Sequence, residues 1–274
     1  MSQTPHTPSS PQTHLAGAGA AHYAPGTFAP APQRATPARM LVAQGKVESL
    51  LFLRHGEQQL LNIIIPFLGL IALAKFDLVP GEHSLDKTFP FILAVASMSS
   101  GFTGQAISLA FDRRYGALKR TGASGVPAWT IIFGKVIAVV AVTIVQVIIL
   151  GTTALLLGWS APLGGVIFGL FTLFVGVATF TAMGLLMGGT LSSELVLALA
   201  NLIWITLTGL AAWAVFSSEV DAGGLLSLIP SIALGHGMVE AFNGHLPWVQ
   251  LGILLLWLLG TSIAANKLFS FTAK

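Results

Sequence analysis

The chain has 274 residues, of which 54% are apolar and only 8% charged, and its formal net charge is +3. Soluble domains carry roughly 25% charged residues, and this sequence holds too little polar material to clothe a water-exposed body; its natural solvent is lipid, and nucleic acid is not an expected partner despite the positive charge. Cysteine is absent, which removes disulfide frameworks, thiol nucleophiles and thiolate metal sites.

Residues 1–38 form a separate compositional block. Half of the 14 prolines fall here, Pro5, Pro8, Pro11, Pro25, Pro30, Pro32 and Pro37, among Ser, Thr, Ala, Gly and Gln. Such a segment cannot bury enough apolar area to offset its ordering entropy, and it reads as a disordered tail on the cytoplasmic side. It lacks the apolar core of a signal peptide, and its prolines oppose the amphipathic helix of a transit peptide.

Over 39–56, Met40, Ala43, Val47, Leu50 and Leu51 recur at helical spacing among Gln44, Lys46, Ser49 and Arg54. That pattern predicts a helix lying in the membrane interface. From 57 onward the chain reads as one membrane domain. Its apolar stretches are 58–76, 89–111, 127–157, 163–190, 195–216 and 246–266, all long enough to span a ~30 Å core, which takes ~20 helical residues, and the third long enough to protrude from the bilayer or tilt. The expected fold is therefore all-α and polytopic, with six transmembrane helices behind an interfacial one. Residues 224–242 are apolar but broken by Pro230, Gly235 and Gly237. They predict a re-entrant or surface helix pair on the extracytoplasmic side, tolerated at membrane depth only where protein or water covers the backbone.

With six spans both termini share a side. Of the 13 Lys and Arg residues, only Lys75 and Lys87 fall on the other one. The positive-inside rule places the termini in the cytoplasm.

The loop between the second and third spans, FDRRYGALKRTGASGVPAWTIIFGK, is the most informative stretch. Any cytoplasmic loop collects basic residues, so charge alone says little. The order of residues says more: Asp112-Arg113 at the end of a span, Gly116, Leu118-Lys119-Arg120, Pro127, Gly134-Lys135 opening the next span, and Gln146 inside it. This arrangement resembles the permease family of type-2 ABC exporters, which includes drug-efflux and polysaccharide-export permeases. The resemblance extends over about 45–266, through TLSSELVLALANLIW and LIPSIALGHGMVEAF. A further proline that the family carries near Thr121-Gly122 is absent.

The resemblance implies the type-2 exporter permease fold and a transport subunit that is not itself an enzyme. It would sit in a bacterial cell membrane and pair with a second permease subunit and a cytosolic ATP-binding cassette ATPase. By position, Asp112, Arg113, Arg114, Gly116, Lys119 and Arg120 would form the element that couples to that ATPase. No G-x-x-x-x-G-K-[ST] phosphate loop occurs in the chain, so ATP and Mg are expected on the partner, with no cofactor and no catalytic residue here.

Polar groups inside spans are costly in lipid and mark either a substrate path or helix–helix hydrogen bonds. Thr103, Gln105, Gln146 and Asn201 are the candidates for a path. The glycines of the fourth span, Gly164, Gly165, Gly169, Gly176, Gly184, Gly188 and Gly189, read as close helix packing. Glu194 is placed to pair with a basic residue of the loop. His236 and Glu240 have i, i+4 spacing, but with only His245 nearby no metal site is expected. The alternatives are an ion-coupled carrier or channel, which would want an ionisable group deep in a span, and an intramembrane enzyme, for which no nucleophile–base set is present. Six spans with cytoplasmic termini predict that single cysteines at Ser10, Ser124 and Thr272 are shielded from an impermeant thiol reagent in intact cells. Cysteines at Ser84 and Ser218 react; labelling at position 124 from outside would overturn the topology.

Overall fold

Backbone groups have no water to bond in a bilayer, so long apolar runs fold as helices that satisfy them internally. The computed structural model describes residues 35–54, 60–76, 85–123, 126, 128–217 and 224–268, and every regular element among them is helical. Nearly all of the tail expected over 1–38 lies outside the described residues.

Helix α1 spans Pro37–Arg54. A π-turn at Leu60–Ile64 leads into α2, Ile65–Lys75. Helix α3 (Leu85–Met98), a π-helical turn (Ser99–Thr103) and α4 (Gly104–Arg114) make one 30-residue rod. Then follow α5 (Ala117–Ala123), α6 (Ala128–Leu156), α7 (Leu163–Thr190) and α8 (Ser193–Phe216). A 3₁₀ turn at Leu225–Leu228 precedes α9 (Pro230–Phe242), and α10 (Trp248–Leu268) closes the described chain.

Five of these rods are long and apolar enough to cross a membrane: Leu85–Arg114, Trp129–Leu156, Leu163–Thr190, Ser193–Phe216 and Trp248–Leu268. The first expected span, 58–76, is represented by Asn62–Lys75, which at 1.5 Å per residue falls short of a ~30 Å core. Five of the six expected spans are thus present at full length among the described residues, and the first is described over Leu60–Lys75. Leu156, Leu163, Leu202 and Leu256 stand 84%, 78%, 60% and 69% exposed on the outer surface, as lipid-facing side chains do and as a soluble surface does not.

Helix α7 is the hub, packing against α3, α4, α6, α8, α9, α10 and the π-turn of the long rod. Its glycines let neighbours approach. A Cβ on Gly184 would lie 2.5 Å from the carbonyl oxygen of Phe102, one on Gly169 2.6 Å from the Phe242 ring, and one on Gly188 would run into the backbone of Ala106. Gly165 meets the carbonyl of Phe242 and Gly176 meets Leu234, while Gly164 faces open space.

The 224–242 stretch runs inward and back. Trp257 donates its indole N–H to the carbonyl of Leu228 at 2.9 Å, nine residues into α10 or roughly 14 Å along it. From that level α9 returns toward the start of α7, where the rings of Phe89, Trp159 and Phe242 cluster with centroids 4.4–5.5 Å apart. Ser231, Ile232, Ala233 and Leu234 are fully buried, so protein covers this short helix, as its backbone requires.

The packing of α7 carries a prediction. Gly188→Val is expected to cost about 1–3 kcal/mol by overpacking and to lower the thermal midpoint of the purified protein. Gly252→Val, at a position with no neighbouring atom within 4 Å, leaves it unchanged.

Candidate functional site

The stretch singled out in the sequence builds one corner of the bundle, where α1, α4, α5 and α6 meet. Gly116 ends α4 with φ +67°, a left-handed conformation that glycine adopts without strain. It turns the chain into α5. Leu118 anchors that short helix in an apolar cluster with Leu109, Ile131 and Leu185, while Lys119 and Arg120 point outward and are exposed. The helix is thus braced on α4, α6 and α7 by one face and presents its charges on the other.

The two arginines turn the other way. Arg113, 4% exposed, donates to the carbonyls of Gly188 at 2.8 Å and Leu191 at 2.9 Å. These carbonyls lie at the end of α7, where helical C=O groups lack partners in their own helix. Arg114 pairs with Glu194 at 2.6 Å and donates to Ser193 Oγ at 3.2 Å, in the first turn of α8. Arg114 and Glu194 are 47% and 66% exposed in their side chains, so this pair orients more than it stabilises. Together the arginines fasten the end of α4 to the α7–α8 junction.

Asp112 belongs to a different set. Lys135 on α6 is 1% exposed, and its ammonium donates to Asp112 Oδ2 at 2.6 Å, Glu48 Oε2 at 3.2 Å and Ser108 Oγ at 3.1 Å. Three donors meet three acceptors, which is what a desolvated ammonium needs. Glu48 also accepts from Gln44 at 3.0 Å. The clamp joins α1, α4 and α6. Helix α1 comes close enough because of Gly45 and Gly134, where a Cβ would lie 2.9 Å from Ile137 and 2.6 Å from Gln44. Sequence reasoning named Asp112 here but missed Glu48, Ser108 and the role of Lys135. The only available signal was that an acid and a lysine near span ends need partners.

Between these elements lies a cavity of about 540 Å³, lined by α1, α4, α5 and α6. Of the four proposed path residues, Gln105 alone lines it, with 1% exposure. Gln146 is equally buried and donates to the carbonyls of Asn62 at 3.0 Å and Ala96 at 3.3 Å. Asn62 accepts from Ser99 at 2.8 Å, so the amides tie the π-turn that leads into α2 to the long rod and to α6. Thr103 is buried in the π-turn. Asn201 is exposed on α8 and donates to Leu197 of its own helix at 3.0 Å. The four do not converge on one cavity. His236 and Glu240 sit half-buried on α9 and His245 is exposed; among the described residues no three His, Asp or Glu groups gather as metal ligands.

The family model described as ABC-2 family transporter protein matches residues 75–270. The chain belongs to the ABC-2 transporter family. It is accordingly a multi-pass membrane protein and a permease of the ABC-2 type, as the motif order at 112–146 led us to expect. The match takes in α3 through α10 and leaves α1, with its Glu48, outside. No curated protein and no solved structure matches the chain.

The permease's clamp makes an asymmetric prediction. Lys135→Met leaves two carboxylates facing one another and is expected to destabilise by about 3 kcal/mol. Removing the charges as well, in Lys135→Met with Glu48→Gln and Asp112→Asn, recovers part of that loss. Denaturation of the purified variants measures both; equal stability of Lys135→Met and the unaltered chain would discard the clamp.

Proposed function

We propose that this permease is the membrane-spanning half of an ATP-driven exporter in a bacterial cell membrane, with both termini in the cytoplasm. It moves a hydrophobic or amphipathic substrate and works with a second permease subunit, identical or related, and a separate cytosolic ATPase that holds ATP and Mg. The observation that carries this reading is the construction of α5. A short helix is braced on three spans, presents Lys119 and Arg120 outward, and follows the Gly116 turn from α4, whose last residues grip the α7–α8 junction. A push on α5 by an ATPase reaches both spans through its apolar seat and through Arg113 and Arg114. The exposed face of α8, with Asn201 and Thr206 bonded only within their own helix, supports a second subunit that covers it.

The alternative of an ion-coupled carrier has less to rest on, because the buried charged residues among those described, Lys135 and Arg113, are committed to two carboxylates and to carbonyls at the end of α7. Charge reversal at the outward residues tests the coupling. Arg113 is unsuitable for this, since its guanidinium closes the end of α7. Lys119→Glu with Arg120→Glu is expected to leave the permease in the membrane at normal abundance while reducing co-purification of the ATPase about tenfold, an effect of rim charges on association. Undiminished co-purification and transport would remove α5 from the coupling role.

A further inference from the structure

The cavity of about 540 Å³ at the α1–α4–α5–α6 corner has the size of a small-molecule site, and its wall has an uneven charge. Two carboxylates, Glu48 and Asp112, line it. Among the described residues the ammonium bonded to them is that of Lys135 alone. Arg113, next to Asp112 in sequence, is turned to the α7–α8 junction; Arg114, whose guanidinium lies 6.0 Å from the Tyr115 ring centroid, is paired with Glu194 there, and Lys119 and Arg120 do not line the cavity. One negative charge is therefore left over on the wall.

The remaining lining is amphipathic. Phe52, Phe111, Leu51 and Leu118 are apolar, and Tyr115 stacks on Phe111 with ring centroids 5.9 Å apart. Gln105 supplies an observation independent of the acids. Its side chain is 1% exposed and lines the cavity, which places an amide in the cavity wall. An amide both donates and accepts, so it can bond a polar group held inside the cavity.

We infer that this cavity binds an organic monocation with an aromatic or otherwise apolar body. The surplus carboxylate charge faces the cation, the rings of Phe111 and Tyr115 take its apolar faces with a cation–π contribution, and Gln105 bonds a polar substituent or a water carried with it. The site lies between α1 and α5, so an occupant touches the helix proposed to meet the ATPase. Binding itself requires no ATPase, and its failure is distinguishable from failure of the coupling proposal.

The full chain in lipid nanodiscs, without ATPase or nucleotide, is dialysed against radiolabelled tetraphenylphosphonium, with empty nanodiscs as background. Tetraphenylborate, of the same shape and opposite charge, is the comparison. Saturable binding of one tetraphenylphosphonium per chain is expected, at least tenfold tighter than that of tetraphenylborate. Glu48→Gln weakens it at least fivefold by removing the surplus charge, and Leu51→Trp, which fills the cavity from its more exposed wall, abolishes it. Gly252→Val on the open outer face changes nothing. Thermal unfolding identifies variants that remain folded, and Gln105→Leu replaces Glu48→Gln if the latter does not fold, with the same fivefold loss expected. No saturable binding, equal binding of the two ions, or undiminished binding to folded Leu51→Trp would overturn the site.

Discussion

Lipid chains are as apolar as leucine, so helices in a bilayer gain little by burying leucines against each other and associate where their backbones can come close. That constraint falls on α7. Its glycines at 165, 169, 176, 184 and 188 face backbone or large side chains of α9, the long rod and its π-turn, and each additional atom there would push a neighbour outward. The exposed leucines of the outer surface contribute length and solubility in lipid, not cohesion. The same logic explains why α9, too short to cross, is stable at depth: it is seated on glycines of the hub and sealed by the Phe89–Trp159–Phe242 cluster.

At the α1–α5 corner the economy is reversed, and polar groups do the joining. Lys135 has exchanged its hydration for three oxygen acceptors drawn from α1 and α4, and Arg113 has exchanged its hydration for carbonyls at the end of α7. Such groups add less to net stability than a well-packed apolar core of equal volume, but they are directional. Each fixes one helix end against another, so the corner behaves as a rigid body between an outward-facing helix and the spans. The cavity persists there because polar walls meet at fixed angles and leave a gap that the short apolar residues of α5 do not fill.

Helix α1 shows where an apolar pattern misleads. Its apolar residues Ala43 and Leu50 are exposed, whereas Gly45, Glu48 and Phe52 face the protein and Val47 and Leu51 border the cavity. In a water-soluble protein the apolar stripe marks the core side; beside a bilayer it marks the lipid side, and the stripe that meets the bundle carries glycine and a carboxylate.

Composition placed the chain in lipid, and continuous apolar runs of ~20 residues or more made it helical, because a barrel strand would need only ~10 residues of alternating character. The order of acidic, basic, Gly and Pro residues at 112–135 determined the family. Local chemistry also located most of the fourth span's glycines at close contacts, since steric demands of that kind are written in single residues. Only the tertiary structure decided which charge meets which. Glu48 and Lys135 lie 87 positions apart and Asn62 and Gln146 lie 84 apart, and sequence spacing holds no record of such pairs. Nor could counting residues along a span place Asn201 on an outer face and Gln105 in a cavity, because depth follows from position in the helix while facing follows from the neighbours packed around it.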